Sequence, residues 1–476
     1  MESQTLSCCA LTAGGVFKLS DEKEHRVSQE QDFDGGRVVQ FHLGVLSAYS
    51  YLLCSCDAAM LIDPGRDVDN YEKYLDEHHI RLCGVFLTHL HTDFVAGHIE
   101  AGERFNVPVF IGRNSHAGFS HIAIDDEANF SLGRLRLHFF SSPGHGDDGV
   151  CMSAGTVSGE PEMIFTGDAL DVPEHVSSSM DWLHHLESLP DEIRIYPGHG
   201  TVAESEELRT LGMERQLNPL FNPQASRREQ HGGSGLHLES LRRINSQGPQ
   251  MADWDDPFEE IKPDIRLASP ESKVLDIRTH SIYAPRHVPY SLNIESNGRL
   301  EYWAARLFDP LDGALVLAGG NFFELSEASS RLKAVGFDCQ GFEIETWLKA
   351  GLPAKESRVV EPEELDTLLW SDEPPLVLDV RTAAEWKKSR LSGSVNIPLA
   401  ELAEKLETLP QDRDIVAVCA SGFRSAVAVG ILERGNFRSI SNLYGGLGAW
   451  IEAGKLLDTT GIKAPSPGGA GCGGKG

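Results

Sequence analysis

One stretch of this 476-residue chain occurs twice, and the duplication constrains its fold more than any other feature. Val274-Leu275-Asp276-Ile277-Arg278 returns as Val377-Leu378-Asp379-Val380-Arg381. At the same offset Asn293-Ile294 returns as Asn396-Ile397, and Trp347 returns as Trp450. Three agreements in one register are hard to obtain by chance, so the C-terminal half is a tandem duplication. In each copy short apolar runs alternate with helical patterns, which predicts α/β units built on parallel sheets. The copies occupy residues 262–355 and 357–462, parted by a break at Gly351-Leu352-Pro353-Ala354-Lys355. The remaining N-terminal part is long enough for a domain of its own, so about three domains are expected.

That N-terminal part is patterned differently. Apolar runs at 38–41, 51–53, 59–62 and 84–87 are bounded by turn residues such as Asp63-Pro64-Gly65 and predict strands. Between them, residues 68–79 carry apolar side chains at helical spacing. A domain over 37–245 is expected, preceded by a polar, flexible leader over 1–36. Residues 222–256, rich in Gly, Ser, Gln and Arg, suit an interdomain connection, and the Gly-rich end at 463–476 suits a flexible tail. Cys54 and Cys56 stand two apart in an expected strand, hence on one face, and read as core packing rather than a metal clip.

The densest chemical signal is Thr88-His89-Leu90-His91-Thr92-Asp93, directly after the apolar run Val85-Phe86-Leu87. Two histidines and an aspartate on a loop closing a strand can converge on one ion, and imidazole with carboxylate suits a borderline first-row metal. A lone histidine would ordinarily be a satisfied surface or core residue. Here three further signals follow, each at an expected strand end: Pro143-Gly144-His145, Thr166-Gly167-Asp168 and Pro197-Gly198-His199. Glycine beside each candidate lets backbone approach the metal loop.

On these residues the N-terminal part resembles the metallo-β-lactamase fold, an αββα sandwich with its metal site at one edge. The resemblance covers about 37–220 and is specific for the fold, not for the reaction. Dinuclear hydrolases of this fold place a histidine immediately after the motif aspartate, whereas this chain has Phe94. The loss of that ligand favours one ion. Persulfide dioxygenases share the fold, and the resemblance to them implies Fe(II) held by His89, His145 and Asp168, with Zn(II) as the alternative. His91, Asp93 and His199 then orient ligands or serve as alternative ligands. Val95-Ala96-Gly97-His98 and Glu214-Arg215-Gln216-Leu217-Asn218-Pro219 resemble that family too. Two departures stand out. Gly146-Asp147-Asp148 is more acidic than the family pattern, and residues 169–193 hold no Lys or Arg where glutathione-binding relatives often place basic contacts.

The second reactive centre is Cys419. The apolar run Ile415-Val416-Ala417-Val418 leads into Cys419-Ala420-Ser421-Gly422-Phe423-Arg424-Ser425, and helical sequence follows at once. Backbone N–H groups at a helix N-terminus, with an arginine beside them, stabilise a thiolate or a bound anion. A buried inert cysteine is the ordinary alternative, but the flanking residues here are polar and loop-forming. The loop resembles the active site of rhodaneses. That resemblance implies Cys419 as the sulfur-carrying nucleophile, Arg424 steering an anionic donor, and the 419–425 backbone as an anion cradle. Asp379 and Arg381 are then structural, while Tyr444-Gly445-Gly446 and Trp450 close the fold. The equivalent loop in the first copy, Ala318-Gly319-Gly320-Asn321-Phe322, has neither cysteine nor arginine, and Cys339 falls well past it. That copy reads as an inactive rhodanese-like module.

Together the two resemblances imply O2-dependent oxidation of a low-molecular-weight thiol persulfide, carried on glutathione, coenzyme A or a similar thiol, to sulfite and thiol. Sulfane-sulfur transfer involving thiosulfate would be coupled to it at Cys419. A metal-dependent thioester hydrolase of the glyoxalase II kind, fused to a sulfurtransferase, is the alternative. A regulatory protein with vestigial sites is a third reading, which the chemically complete sites oppose. The net charge of −29 excludes nucleic acid and anionic membrane as expected partners. No apolar run is long enough to span a bilayer. The acidic start, with Asp21, Glu22 and Glu24, lacks a secretory or transit layout and points to a cytoplasmic address. The sequence leaves the thiol carrier, the direction of sulfur flow and homo-oligomerisation open.

Overall fold

The computed structural model describes residues 26–43, 48–156, 159–171, 181–199, 209–222, 238–251, 257–437 and 439–459. Its strands form four sheets, two of them in the N-terminal domain. The first sheet holds β1 (Arg26–Phe33), β2 (Gly36–His42), β3 (Tyr49–Ser55), β4 (Ala58–Ile62), β5 (Arg81–Leu87), β6 (Val109–Gly112) and β7 (Ile122–Ile124) in chain order. Pairing is antiparallel from β1 to β4 and parallel from β4 onward. The second sheet runs β12-β11-β10-β9-β8, with β8 (Asn129–Leu132), β9 (Leu135–Ser141), β10 (Val150–Thr156), β11 (Met163–Gly167) and β12 (Arg194–Pro197).

The two sheets face each other across one apolar layer that includes Tyr51, Phe86, Phe139, Met152 and Phe165. Alternation is what builds it, because successive strand residues point to opposite faces. The outer face of the first sheet is covered by α1 (Asp69–Glu77) and α2 (His98–Phe105), through Tyr71, Tyr74, Leu75 and Ala101. The outer face of the second is covered by α3 (His184–Glu187) and α4 (Leu211–Leu217), through Leu186 and Leu211. The result is the expected αββα sandwich.

The C-terminal half carries two parallel sheets of one strand order. One is β13-β17-β16-β14-β15, from β13 (Glu259–Glu260), β14 (Val274–Asp276), β15 (Leu292–Asn293), β16 (Leu315–Gly319) and β17 (Cys339–Glu343). The other is β18-β22-β21-β19-β20, from β18 (Arg358–Val360), β19 (Leu376–Asp379), β20 (Val395–Asn396), β21 (Ile415–Val418) and β22 (Ile440–Leu443). Helices α5 (Leu238–Gln247), α6 (His280–Tyr283), α7 (Leu300–Leu307), α8 (Phe322–Lys333) and α9 (Ile344–Lys349) precede or surround the first of these sheets. Helices α10 (Pro362–Leu369), α11 (Ala383–Lys388), α12 (Leu399–Leu402), α13 (Phe423–Arg434) and α14 (Gly446–Glu452) surround the second.

The repeated residues do the same work in both copies. Arg278 pairs with Asp276 at 2.6 Å and Arg381 with Asp379 at 2.7 Å, all four being buried. Asn293 donates to the Asp276 and Arg278 carbonyls, and Asn396 donates to those of Asp379 and Arg381. Trp347 and Trp450 each donate an indole N–H to a carbonyl six residues on, that of Pro353 and that of Leu456. Asp379 and Arg381 are therefore tied to each other in the core.

Several expectations need correction. Part of the expected leader is a strand: β1 pairs along β2, and Tyr196 donates to Gln31 at 2.8 Å. It is a polar edge strand with little apolar content, which is why it reads as a tail; residues 1–25 lie outside the described residues. Cys54 and Cys56 do not share a face. Cys54 is buried within β3, while Cys56 sits exposed in the following turn at φ 57°. The expected connection over 222–256 contains α5, so a domain boundary at 245 would cut a helix. The first C-terminal unit begins at β13, before residue 262. The expected tail at 463–476 lies outside the described residues. Among the described residues no helix is long and apolar enough to cross a membrane.

Candidate metal centre and cysteine site

The metal-loop candidates sit where strands of both inner sheets end. β5 delivers Thr88 to Asp93, the turn after β9 delivers His145, β11 delivers Asp168, and β12 delivers His199. The backbone approach is close: a β-carbon on Gly167 would stand 2.3 Å from the Thr88 hydroxyl, and one on Gly198 2.3 Å from Asp168 Oδ1. Only glycine fits either place.

His89, His145 and Asp168 each aim one ligand atom at a common point, and these atoms lie within 4.8 Å of one another. Nε2 of His89 stands 3.6 Å and Nε2 of His145 3.5 Å from Asp168 Oδ2. Ligand bonds of about 2.0–2.2 Å place neighbouring ligand atoms roughly 3.0–3.5 Å apart, so the spacing fits a first-row ion. His89 Nε2 is buried and has no hydrogen-bond partner. A buried orphan of that kind is costly unless something else satisfies it.

The other ring nitrogen of each imidazole faces an acceptor. The Thr88 hydroxyl donates to Asp63 Oδ2 at 2.8 Å, so at 3.0 Å from His89 Nδ1 it can only accept. That puts the His89 proton on Nδ1 and the lone pair on Nε2. His145 Nδ1 lies 3.3 Å from the Asp171 carbonyl, which can only accept, so Nδ1 carries a proton and Nε2 is the atom turned to Asp168. Burial pushes His89 down to about 4, aided by His91 and opposed by Asp168. Burial acts the other way on Asp168, yet His199, His145 and His89 hold it well below the usual carboxylate range. Neutral imidazoles and an ionised carboxylate are the species a metal needs.

His91, Asp93 and His199 form the surroundings. His91 Nε2 faces Asp63 Oδ1 at 3.1 Å, and its ring packs on Phe94 with centroids 4.3 Å apart. His199 Nε2 bridges Asp93 Oδ2 at 3.0 Å and Asp168 Oδ2 at 3.4 Å. Burial would lower His199, but the two carboxylates raise it well above the ordinary value. Phe94 is itself buried and contributes only apolar surface.

Sequence reasoning missed four residues that hold this loop. Asp63, read only as part of a turn, accepts from the Thr88 backbone and hydroxyl and faces His91. Asp148, read as an unexplained acidic departure, accepts from Leu90 N at 2.7 Å and from Arg242 at 2.9 Å. Asn245 accepts from Ala96 N at 2.9 Å and donates to the His91 and Phe94 carbonyls at 2.9 and 2.8 Å. Arg242 and Asn245 lie in what reads as a polar connection. The one usable signal was spacing: they are three apart on a helix, hence on one face. The 214–219 stretch supports the Asp168 side, where Asn218 donates to the Leu170 carbonyl and to Glu214.

At the other centre Cys419 follows β21 and is buried. Gly422 N donates to its sulfur at 3.1 Å and Ser425 Oγ lies 3.4 Å from it, both at the start of α13. Gly446 closes the loop from above, since a β-carbon there would stand 2.5 Å from the Cys419 carbonyl. Arg424 is not held out for a donor: it makes two 2.7 Å bonds to Glu385 of α11. Burial would raise Glu385, but its bonds with Arg424 and Thr382 bring it down to about 2. Ala420, Ser421 and Phe423 complete the loop, with Ser421 exposed.

The equivalent place in the middle unit is filled. Asp276 pairs with Ala318 as Asp379 pairs with Val418, so Gly319 stands where Cys419 does. Asn321 caps α8, and the Glu343 carboxylate accepts from Phe322 N at 3.0 Å. Burial raises the Cys339 thiol, over on β17, to about 12.

Family models match at both centres. Residues 43–199 match the metallo-beta-lactamase superfamily and residues 361–453 the rhodanese-like domain. A protein of Schizosaccharomyces pombe named "probable hydroxyacylglutathione hydrolase" is 25% identical over 248 residues, covering 43% of this chain and 96% of its own. A "sulfurtransferase" of Allochromatium vinosum is 32% identical over 95 residues, 20% of this chain and 89% of its own. The solved structure of a metallo-beta-lactamase from Staphylococcus aureus superposes with a TM-score of 0.54 at 21% identity, over 64% of this chain and 98% of that one. That last likeness bears on fold alone.

Proposed function

We propose that this chain, which belongs through residues 361–453 to the rhodanese-like sulfurtransferases and carries a metallo-beta-lactamase superfamily domain over 43–199, oxidises a thiol persulfide and exchanges sulfur at Cys419. The observation that carries the oxidation is the one His-His-Asp cluster among the described residues, two imidazoles and one carboxylate, with Phe94 packed on His91 where a second ion would need a ligand. Two His and one carboxylate leave open positions, the set that non-haem Fe(II) oxygenases use. Fe(II) bound by His89, His145 and Asp168 would supply the redox chemistry that brings persulfide sulfur and O2 together.

The chain's own residues prepare that step. Thr88 fixes the His89 tautomer, the Asp171 carbonyl orients His145, His199 positions the Asp168 carboxylate, and Leu90 and Phe94 pack the buried side of the loop. The overall conversion is RSSH + O2 + H2O → RSH + SO3²⁻ + 2H⁺. At the second site the Cys419 thiolate takes the outer sulfur of thiosulfate and releases sulfite, its S–S bond replacing the one that breaks. Gly422 N, Ser425 and the N-terminus of α13 stabilise the sulfur anion. The middle unit is read as an inactive rhodanese-like module, because Gly319 replaces the nucleophile and Glu343 takes the helix N-terminus.

A thioester hydrolase is the second reading, favoured by the name of the Schizosaccharomyces pombe relative. One experiment separates them. Protein reconstituted anaerobically with Fe(II) is given glutathione persulfide while oxygen is followed. Oxygen uptake with sulfite release, lost in His89→Ala, is the expected result. No uptake, together with Zn-dependent cleavage of a glutathione thioester, would give the metal domain to the hydrolase.

A further inference from the structure

We propose that α5 (Leu238–Gln247), outside the residues that match the metallo-beta-lactamase family, is the clamp that sets the geometry of the metal loop. The inference rests on a metal ion being held by His89, His145 and Asp168. Asn245 is fully buried and spends its whole side-chain amide on the loop: its oxygen accepts from Ala96 N, and its nitrogen donates to the carbonyls of His91 and Phe94. Arg242, one helical turn earlier on the same face, grips the other arm through Asp148, whose second oxygen accepts from Leu90 N. Backbone on both sides of His91 is thereby tied to one rigid helix.

A helix is a better anchor than the loop itself, because its residues move together and loop backbone left to water does not hold one geometry. The clamp is backed by the middle unit. The Ala334 carbonyl accepts from Val95 N at 3.0 Å, and Gly336 comes so near that a β-carbon there would stand 3.1 Å from Val95 and 3.3 Å from Ile244. The loop and α5 thus both touch the middle unit. Asn245 touches no ligand atom among the described residues, so it is a positioning residue acting through the backbone of the loop.

The test uses the full chain with Co(II) as a spectroscopic probe and Fe(II) affinity measured by chelator competition. Asn245→Ala is expected to lose about 10- to 100-fold in metal affinity, the usual effect of removing an outer partner, and to shift the Co(II) d–d bands. Arg242→Met, at a more exposed position, should shift both in the same direction by less. Ile244→Ala removes packing from the same helix without touching a loop hydrogen bond, and should lower the unfolding midpoint while leaving the bands in place. Unchanged affinity and bands in both Asn245→Ala and Arg242→Met would overturn the clamp. So would an equal band shift in Ile244→Ala. Wild-type protein that binds neither metal would instead overturn the metal assignment on which the clamp rests.

Discussion

The ring of Phe423 lies against the backbone of Gly298, so near that a β-carbon on Gly298 would stand 2.6 Å from it. Phe423 belongs to the Cys419 loop and Gly298 to the middle unit, which therefore touches that loop directly. The contact is anchored by α13, where Glu433 accepts from Tyr290 N at 2.8 Å and Arg434 donates to the Tyr290 carbonyl at 2.8 Å. The same unit backs the metal loop at Ala334. It has Gly319 in register with Cys419, yet it contacts the backbone around both centres.

Gly298→Val follows from that contact. Overpacking of this kind carries roughly 1–3 kcal/mol of strain, released either at the interface or in the loop. With α13 held by Glu433 and Arg434, the loop gives way first. Sulfur transfer from thiosulfate to cyanide should fall by about tenfold, the effect of about 1.4 kcal/mol on a barrier. Metal content should not change. Wild-type turnover in the variant would show that the Phe423 ring is free to move aside.

The Arg424–Glu385 pair predicts a pH dependence of stability. Glu385 has a folded value of about 2, below the ordinary carboxylate value of about 4.3. A depressed folded value contributes stability that is present above the unfolded value and is lost as pH falls through the folded one. Wild type should therefore exceed Glu385→Gln in unfolding midpoint by a constant margin from pH 5 to 8, and the margin should shrink between about pH 4 and pH 2. A margin that persists at pH 2 would mean that Glu385 acts through packing rather than charge.

How much of this was legible differs from site to site. His89, His145, Asp168 and Cys419 sit on loops that close apolar strands, and such strands declare themselves by hydrophobicity, so the loops could be placed from sequence. The duplication was legible because Asp276–Arg278 and Asp379–Arg381 are buried pairs that a fold cannot easily replace. Asn245, Arg242 and Asp148 were not legible. They are polar residues whose bonds reach 58 to 154 positions along the chain; Arg242 and Asn245 stand in a Gly/Ser-rich stretch that looks like a solvated connection, and Asp148 in an acidic run whose partners are distant in sequence. The role of Arg424 was half visible: its place beside Cys419 was clear, but its partner Glu385 lies on a helix with no sequence link to the loop.

Placing a cysteine in the middle unit at the position of Cys419 should not give sulfur transfer there. Gly319 is the position in register with Cys419. A β-carbon on Gly319 would stand 2.8 Å from Leu325, a fully buried side chain in the first turn of α8, so a thiol has no room to face the helix N-terminus. Nor is that terminus available to a sulfur anion. Asn321 already accepts from Glu324 N, and the Glu343 carboxylate already accepts from Phe322 N, placing a negative charge where a thiolate would have to develop. A carboxylate there raises the cost of ionising a neighbouring thiol instead of lowering it. In a Cys419→Ser background, Gly319→Cys is expected to show no transfer from thiosulfate and no gain of one sulfur atom by mass at residue 319. It should also unfold more readily than its parent, because Leu325 must leave its place. Recovered turnover in the double variant would show that the middle unit keeps a working anion cradle and lost only its nucleophile.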